Sequence, residues 1–370
     1  GNLLINISIV LFSVSFFLNI NDNKFFLRNR IFYILIFFFL SLLVNIFFSS
    51  IPVNSTPRVL KILIIIFFVI ESLRIFNKYK FEFINDVFLL WSILFIIVLL
   101  DCAFEVYFGF NSLGFSTPLN GRIASFFGEE LVVGAFIHAF ALFFLSYLIY
   151  RNSNNYLLLI SVLSIILISF LIGERSNFIK LFISIIIFVI IALKTNYLNK
   201  IISLIIVLGI LTGVLNFNQN YKNRYYDALK QLYQKDGISN YLKKSHYGAH
   251  YNVAFEIFKE HPFFGVGIKN FRYESNKKKY ENEDYQFNNA RQATHPHQIH
   301  FEFLSETGLF GYVSFLIFIL LSILFSIKSY IQNKNLYQLS GLIYILSILI
   351  PLLPSGSFLS TFNSSIFWIN

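Results

Sequence analysis

The chain has 370 residues, of which 56% are hydrophobic and only 13% are charged, and its mean hydropathy is +0.66. This composition excludes an ordinary soluble domain, in which charged residues are about twice as frequent. The formal net charge of +10 could indicate a nucleic-acid partner. However, most basic residues stand in short loops between apolar runs, where the positive-inside bias of membrane proteins accounts for them, so we predict no nucleic-acid partner. The single cysteine excludes an internal disulfide bond.

Apolar runs near 20 residues long recur along nearly the whole chain. About 20 residues is the length that a helix needs to cross a hydrocarbon core roughly 30 Å thick. The sequence therefore predicts an all-α fold, a polytopic transmembrane helix bundle with about eleven helices in this chain. Their expected bounds are about 3–20, 31–50, 59–76, 86–101, 130–150, 156–173, 178–194, 201–217, 308–328, 337–353 and 357–370.

The basic residues of the short loops fall mainly in alternate loops, which the positive-inside bias places in the cytoplasm. These residues are Lys24, Arg28, Arg30, Arg74, Lys78, Lys80, Arg151, Lys194, Lys200, Lys328 and Lys334. Because successive loops alternate between the two sides of the membrane, Gly1 then lies outside. We therefore expect that one helix upstream of Gly1 is missing, which would make about twelve in the full protein, and that the last helix is cut short at Asn370.

The segment 218–306 is the one long part with the composition of a soluble domain, rich in Tyr, Asn, Lys and Glu. The loop parity places it on the outer side of the membrane. We therefore predict three parts: N-terminal transmembrane helices in 1–217, an extracytoplasmic loop domain in 218–306, and C-terminal transmembrane helices, truncated, in 307–370.

Five polar clusters fall on the predicted outer side. The first, "NGRIASFFGEE", holds Arg122, Glu129 and Glu130 directly before a membrane helix, and ordinary interfacial charges are an equally good interpretation of it.

The second cluster, "LIGERSNFIK", holds Glu174 and Arg175 in a very short connection between two apolar helices. Charged side chains at that depth are costly and usually paired or functional. A self-satisfied Glu–Arg pair is the alternative.

The third cluster is "HYGAHYNVAFEIFKEHPFFGVGIKNFR", residues 246–272. Within it, "NVAFEIF", residues 252–258, predicts a short amphipathic helix that is ended by Pro262, because proline cannot continue a helix. The glycines of "GVG" let the backbone turn or approach another group closely, and Lys269 and Arg272 follow. The histidines of this stretch are expected at the surface: His246, His250 and His261.

The fourth cluster is "HPHQIHFEFLSETGLFG", residues 295–311. His295 and His297 lie on one side of the chain if the segment is extended, and His300 begins a helical run. Three histidines could hold zinc, but no His-Glu-x-x-His motif is present, so we predict no metal site. Glu302 and Glu306 lie one helical turn apart and could orient a histidine or hold a substrate hydroxyl.

The fifth cluster is "LLPSGSFLSTFNS", residues 352–364. Pro351, Pro354 and Gly356 interrupt helix geometry, as happens where backbone lines a polar cavity. A simple connecting turn is the preferred interpretation.

These motifs, taken in order, resemble the O-antigen ligase and O-antigen polymerase superfamily of bacterial polytopic membrane glycosyltransferases. The resemblance rests on "HPHQIHFEFLSETGLFG", which is similar to the family's His-(Asn/Gln) and Glu-x-Gly-x-x-Gly start of a late helix. It rests also on "HPFFGVGIKNFR", "GRIASFFGEELVVGAF" and the "GERSN" turn, and it spans about residues 86–357.

The resemblance implies a reaction at the periplasmic face of the bacterial inner (cytoplasmic) membrane. Family members take a glycan from an undecaprenyl-diphosphate carrier, held among membrane lipid. Ligases transfer it to lipid A-core, polymerases to another carrier-linked glycan, and related oligosaccharyltransferases to a protein. The reaction is expected to be inverting and to need neither a metal nor a cofactor.

The family's key histidine maps onto His297, with Gln298 where the family more often has Asn. That departure leaves the role of the neighbouring amide open. The family's outer-loop arginines map onto Arg122 and Arg175, and Arg272 is a weaker match.

The chemistry of such a transfer suits these side chains. A diphosphate leaving group gathers negative charge, which arginine binds in bidentate fashion without a divalent metal. No Asp-x-Asp motif occurs in the sequence. We therefore expect a diphosphate- or substrate-binding set: Arg122, Arg175, Glu174, Arg272 and Lys269.

A sugar hydroxyl is a weak nucleophile until its proton is removed, and a histidine of near-neutral pKa suits that task. We assign the general base to His297 and its orienting partner to His295 or Glu306.

Three alternatives remain beside a ligase. A polymerase differs only in the acceptor, although one dominant outer segment favours a ligase. A polysaccharide or lipid transporter, or a flippase, places ionisable residues within helices and often contains inverted repeats. Here the ionisable residues cluster in outer loops and no repeat is visible. A non-enzymatic membrane scaffold is the least favoured alternative.

Overall fold

The structure is a computed structural model that describes residues 2–22, 30–117, 121–193, 197–217, 219–226, 230 and 237–370. Within these ranges every regular element is helical and none is a strand. The predicted all-α, polytopic helix bundle is therefore confirmed. Lys24, Arg28 and Lys194, on which part of the predicted topology depends, lie outside the described residues.

Each predicted apolar segment contains a helix. The long helices are α1 (Asn2–Leu18), α2 (Arg30–Phe48), α3 (Pro52–Lys78), α4 (Lys80–Phe108), α5 (Val133–Tyr150), α6 (Asn155–Leu171), α7 (Arg175–Ala192), α8 (Tyr197–Phe217), α9 (His246–Glu260), α10 (Ile299–Asn333), α11 (Leu336–Ile348) and α12 (Thr361–Ile369).

Five helices of the described chain are long and apolar enough to cross a membrane. They are Arg30–Phe48, Asn85–Phe108, Val133–Tyr150, Arg175–Ala192 and Ile299–Asn333. A sixth is added if the bent pair Lys200–Asn216 and Gln219–Tyr226 is counted as one span, and three shorter apolar helices accompany them. The chain is thus a multi-pass membrane protein.

The chain divides into two compact units. The first contains Gly1–Phe81, Asp236–Phe325 and Leu349–Ile369, and the second contains Glu82–Lys235, Ser326–Ile348 and Asn370. Each unit thus combines segments that are far apart in sequence.

In the first unit, α2 packs on α10 through aromatic side chains. Phe38 is fully buried, and its ring lies 4.8 Å from Phe318 and 6.3 Å from Phe303. Phe303 in turn stacks on Phe315 at 4.1 Å. Because aromatic rings bury large apolar areas, these contacts fix α10 against α2.

The first unit also contains α9 and the loops around it. Ser245 caps α9, because its hydroxyl accepts a hydrogen bond from the backbone N–H of Gly248 at 3.0 Å. The inner face of the helix buries three side chains against Val266, Phe271 and Tyr280: Val253, Ala254 and Ile257. The predicted amphipathic helix is confirmed.

In the second unit, α5 packs against α6, α7 and α11. Hydroxyl groups join the helices: Ser146 and Ser340 are 2.8 Å apart, and His138 Nε2 lies 2.7 Å from Ser347 Oγ. Hydrogen bonds of this kind connect helices in membrane proteins, where the surrounding lipid offers no polar partner.

Helix α10 begins at Ile299, nine residues before the predicted start at 308. The predicted start followed the apolar residues, which become continuous only after Gly308. The first turns instead depend on Gln298, whose side-chain oxygen accepts hydrogen bonds from the backbone N–H groups of His300 and Phe301 at 2.7 and 3.1 Å.

A break at Gly308 separates the two parts of α10, because its φ of 62° lies in the left-handed region. The segment 262–267 wraps around this break. Backbone N–H groups of Val266 and Gly267 donate to the carbonyls of Ser305 and Glu306, at 3.0 and 2.8 Å. A Cβ atom at Gly308 would lie 2.4 Å from the carbonyl carbon of Phe263. The expected close approach of the "GVG" backbone is thus observed, and it fixes the residues that precede the break.

Candidate active site

Three imidazoles lie together where the loop before α10 meets α9. The ring centroids of His295 and His297 are 4.0 Å apart, and those of His297 and His250 are 4.9 Å apart. Tyr247 lies edge-on to His297 at 5.9 Å. The structure thus brings the two predicted histidines together and adds a third.

The expectation of a surface position is wrong for His250, which is only 7% exposed. His246 and His261 are exposed, as expected. His250 precedes Val253, Ala254 and Ile257 at helical spacing, so it belongs to the buried face of α9. That periodicity is the sequence signal that could have identified it.

Burial lowers the pKa of all three imidazoles. For His250, burial and then the neighbouring ring of His297 lower the pKa to about 3. For His295, burial lowers the pKa first, and the neighbouring ring of His297 and the charge of Lys269 add to the effect. The rings are therefore neutral at pH 7, and each neutral ring has one nitrogen that can accept a proton.

Two buried ring nitrogens have no hydrogen-bond partner among the described residues, His250 Nδ1 and His295 Nε2. The other nitrogen of His295 lies 3.0 Å from the hydroxyl of Thr294. Buried polar atoms are normally paired, so these nitrogens are sites where a bound ligand could complete the hydrogen bonding.

Two of the predicted diphosphate-binding residues lie near this cluster, since the charges of Lys269 and Arg272 contribute to lowering the pKa of His295. Lys269 is only 8% exposed, and its ammonium group donates to the hydroxyl of Ser357 at 2.6 Å. Arg272 has a buried Nε without a hydrogen-bond partner in the described chain. Arg272 is thus available to a ligand, whereas Lys269 is already engaged within the protein.

The two carboxylates of α10 are both buried, Glu302 and Glu306 at 1% exposure each. Glu302 accepts hydrogen bonds from the hydroxyl of Ser357 and from the backbone N–H of Phe358. Glu306 lies near the backbone amides of Lys269 and Phe271 but forms no hydrogen bond of good geometry with a described residue. Of the two partners considered for His297, the structure places His295 beside it.

The three imidazoles do not form a compact metal site. Among the described residues, the one group of His, Cys, Asp or Glu whose ligand atoms lie within 4.8 Å of one another is Glu260, His261 and Glu274. Both carboxylates of that group are paired with lysine side chains: Lys277 and Lys279.

A cavity of about 450 Å³ lies next to the histidine cluster. The ring of His250 contacts the backbone of Ala290 in its wall. The wall also offers two stacked rings, His246 and Phe287, with centroids 3.9 Å apart. The rest of the lining is formed by Gln286, Asn288 and Asn289. Amide side chains both donate and accept hydrogen bonds, which suits a ligand rich in hydroxyl groups.

In the second unit, Arg122 and Glu174 form an ion pair, with Nη2 and Oε1 3.4 Å apart. Glu174 also accepts from Asn177 at 2.6 Å and from the backbone N–H of Gly134 at 3.2 Å. Burial raises the pKa of this carboxyl group, although Arg122 opposes the effect. The predicted residues Arg122 and Glu174 therefore lie together, and the Arg122 side chain remains about a quarter exposed, at 23%.

Arg175 lies next to Arg224, a residue that the motifs did not identify. The guanidinium group of Arg175 donates to the carbonyl of Arg224 at 3.1 Å. Arg224 Nε donates to the carbonyl of Gly173 at 2.6 Å. A Cβ atom at Gly173 would lie 2.1 Å from the carbonyl oxygen of Gly121, so this approach requires glycine. The loops that carry Arg122, Arg175 and Arg224 thus meet at Gly173.

Residues 158–316 match a protein-family model described as O-antigen ligase. The matched segment is less than half of the chain, and it contains the histidine cluster, Arg175 and Arg224 but not Arg122. No curated protein matches the chain. The match confirms the resemblance to the O-antigen ligase superfamily, which rested on the motifs alone.

Proposed function

We propose, from the O-antigen ligase domain at residues 158–316, that the protein is a membrane glycosyltransferase of the ligase type. It moves a glycan from an undecaprenyl-diphosphate carrier to an acceptor hydroxyl, at the periplasmic face of the bacterial inner membrane. One observation carries this proposal beyond the family match: a cluster of neutral, largely enclosed histidines lies within the electrostatic reach of Arg272, whose Nε has no partner among the described residues.

His297 is the proposed general base. The oxygen of the acceptor hydroxyl bonds to the anomeric carbon of the sugar while the carbon–oxygen bond to the diphosphate breaks. The diphosphate leaves with that electron pair, and the hydroxyl proton passes to a ring nitrogen of His297. A single displacement of this kind inverts the anomeric configuration. General base catalysis contributes typically about 10²–10⁴-fold.

Guanidinium groups are the proposed ligands of the diphosphate. A guanidinium group is a permanent cation and can bind two phosphate oxygens at once. In the second unit the candidate ligands are Arg122 and Arg175, and in the first unit Arg272 is a separate candidate. Glu174 orients Arg122 through their ion pair. Fixed cations of this kind stabilise the charge that develops on the leaving group, so the reaction as proposed needs no metal.

The cavity beside His250 is the proposed place for the glycan, because amide groups line it and its wall touches the histidine cluster. The apolar helices surround the polyprenyl chain of the carrier. Carrier, glycan and acceptor can meet only where lipid and water adjoin, and the loop before α10 is the part of the chain that combines polar side chains with an apolar helix.

Transfer in proteoliposomes tests this function directly. Purified protein is given a lipid-diphosphate-linked glycan, with lipid A-core as acceptor in one sample and none in another. Glycan on lipid A-core supports a ligase. Carrier-linked chains of two or more repeat units, formed without lipid A-core, show a polymerase instead. Movement of the donor across the bilayer without a new glycosidic bond would contradict both and indicate a transporter.

A further inference from the structure

The segment between α11 and α12 was expected to be a simple connection, but one of its serines, Ser357, is buried in the first unit. Ser357 is 3% exposed. Its hydroxyl accepts a hydrogen bond from the ammonium group of Lys269 at 2.6 Å and donates one to the carboxylate of Glu302. The backbone N–H of Phe358 donates to the other oxygen of Glu302 at 2.8 Å. A lysine, a serine and a glutamate therefore form one buried chain.

The same segment has two further contacts, with His297 in the loop before α10 and with His300 in the first turn of α10. The backbone N–H of Ser355 donates to the carbonyl oxygen of His297 at 2.7 Å. The Nε2 atom of His300 lies 2.9 Å from the carbonyl oxygen of Leu349. Residues 349–358 thus contact the start of α10 at three points: His297, His300 and Glu302.

His297 requires such support, because its φ of 57° lies in the left-handed region. Only a few per cent of residues other than glycine lie there, although histidine, asparagine and aspartate do so more often than the rest, and the conformation persists only when the surrounding structure holds it. Lys269 is in the left-handed region as well, with φ 65°. Two strained residues are thus connected through Ser357 and its neighbours.

We propose that Ser357 and Glu302, together with Lys269, are positioning residues that hold the backbone of His297 in its left-handed conformation and so aim its imidazole. This proposal rests on the proposed function of His297 as the general base. Lys269 serves the network and is not a ligand of the diphosphate.

The chemistry of the network explains why a serine stands between the two charges. One hydroxyl can accept from an ammonium group and donate to a carboxylate at the same time. Without it, both charged groups would remain buried without that partner, which is costly in a medium of low dielectric constant. The segment 354–358 would then move to restore the lost contacts and would take the carbonyl partner of His297 with it.

The test compares Ser357→Ala with Ser357→Thr, which keeps the hydroxyl, and with Glu302→Gln. Ser365→Ala is the matched control, because Ser365 is a buried serine of the same unit whose hydroxyl donates to Thr361 within α12. Initial rates of glycan transfer in proteoliposomes give kcat and KM for the donor, and the pH dependence of kcat/KM is recorded for each variant.

We expect Ser357→Ala and Glu302→Gln to lower kcat by about 10²-fold, the loss that a misplacement of about 1 Å produces, with KM little changed. In both variants the acidic limb of the profile of kcat/KM against pH should move to higher pH, because a loosened His297 is less buried and its pKa rises toward the ordinary value. Ser357→Thr and Ser365→Ala should retain most of the wild-type kcat. Glu302→Gln keeps the inference testable if Ser357→Ala does not fold.

Wild-type kcat and an unchanged pH profile in Ser357→Ala and Glu302→Gln, with an inactive His297→Ala, would overturn the positioning role and leave the proposed function intact. Loss of kcat in Ser357→Ala with no shift of the acid limb would also overturn it. If wild-type protein transfers no glycan from any lipid-diphosphate donor, the proposed function fails and this inference fails with it.

Discussion

The backbone N–H of Ser355 donates a hydrogen bond of 2.7 Å to the carbonyl oxygen of His297. These residues are 58 positions apart in sequence, and they belong to the two polar clusters that flank the C-terminal helices. The bond fixes the backbone of a histidine in a left-handed conformation, next to the imidazoles of His250 and His295. The structure therefore constrains the histidine that the motifs predict to be the general base, and this histidine lies within the segment that matches the O-antigen ligase model.

Replacement of His297 tests the proposed base. His297→Ala should reduce glycan transfer by about 10²–10⁴-fold, because no group remains to accept the hydroxyl proton. Transfer is measured with purified protein in proteoliposomes, and insertion is checked by extraction from membranes. His261→Ala is the matched control, since His261 is an exposed histidine at the end of α9. Near-full transfer by His297→Ala would disprove the assignment.

Replacement of Arg175 tests its proposed role as a ligand of the diphosphate. Arg175→Ala should lower kcat by about 10²–10³-fold, the loss that follows removal of one fixed donor to a developing charge. Arg175→Lys keeps the charge but not the bidentate geometry, so its activity should be intermediate.

The control for this series is Arg151→Ala, which removes an exposed arginine at the end of α5. It should transfer glycan at the wild-type rate. If Arg175→Ala and Arg151→Ala had the same kcat, Arg175 would have no special role in transfer.

The positions of the helices were readable from the sequence because burial in lipid demands long apolar runs. Helices α2, α5 and α7 all lie within a few residues of their predicted bounds. The start of α10 could not be predicted from the apolar pattern, since its first turns are polar and are held by Gln298 and by the backbone of residues 262–267.

The candidate site was only partly predictable. His295 and His297 stand in one motif, so their proximity follows from short spacing. The roles of His250, Ser357 and Arg224 depend on contacts with residues about 50 or more positions away, which no local pattern encodes. A polar turn such as "PSGS" has the same composition whether its serines face water or a buried carboxylate. Helical periodicity on α9 could have placed His250, but nothing comparable exists for the other two.

The break in α10 can be tested by substitution of its glycine. Gly308→Ala should destabilise the protein by about 2 kcal/mol or more, because φ is positive and the new methyl group would overlap the backbone of Phe263. Thermal unfolding in detergent measures the change.

Gly213→Ala is the control for the break, since Gly213 lies in α8 with open space around it and ordinary helical φ. That substitution should be neutral or slightly stabilising, because alanine favours a helix by roughly 0.5–1 kcal/mol over glycine. Equal unfolding temperatures for Gly308→Ala and wild type would show that the break does not require glycine.

The buried imidazole of His250 should make stability depend on pH. Its pKa is about 3 in the folded protein and about 6.5 in the unfolded chain. Between these values the unfolded chain binds more protons, so stability is present above about pH 6.5 and is lost as the pH falls toward 3. One proton of difference gives a slope of about 1.4 kcal/mol per pH unit.

His250→Gln removes this proton while retaining a polar side chain of similar length. The free energy of unfolding in mixed micelles, measured from pH 7.5 down to pH 4.5, should fall less steeply in His250→Gln than in wild type. The comparison uses slopes, so a uniform loss of stability from the substitution itself does not affect it. His261→Gln, at an exposed position, should keep the wild-type slope. Equal slopes in wild type and His250→Gln would mean that the ring is not held neutral by burial, and a neutral histidine cluster is what the proposed base requires.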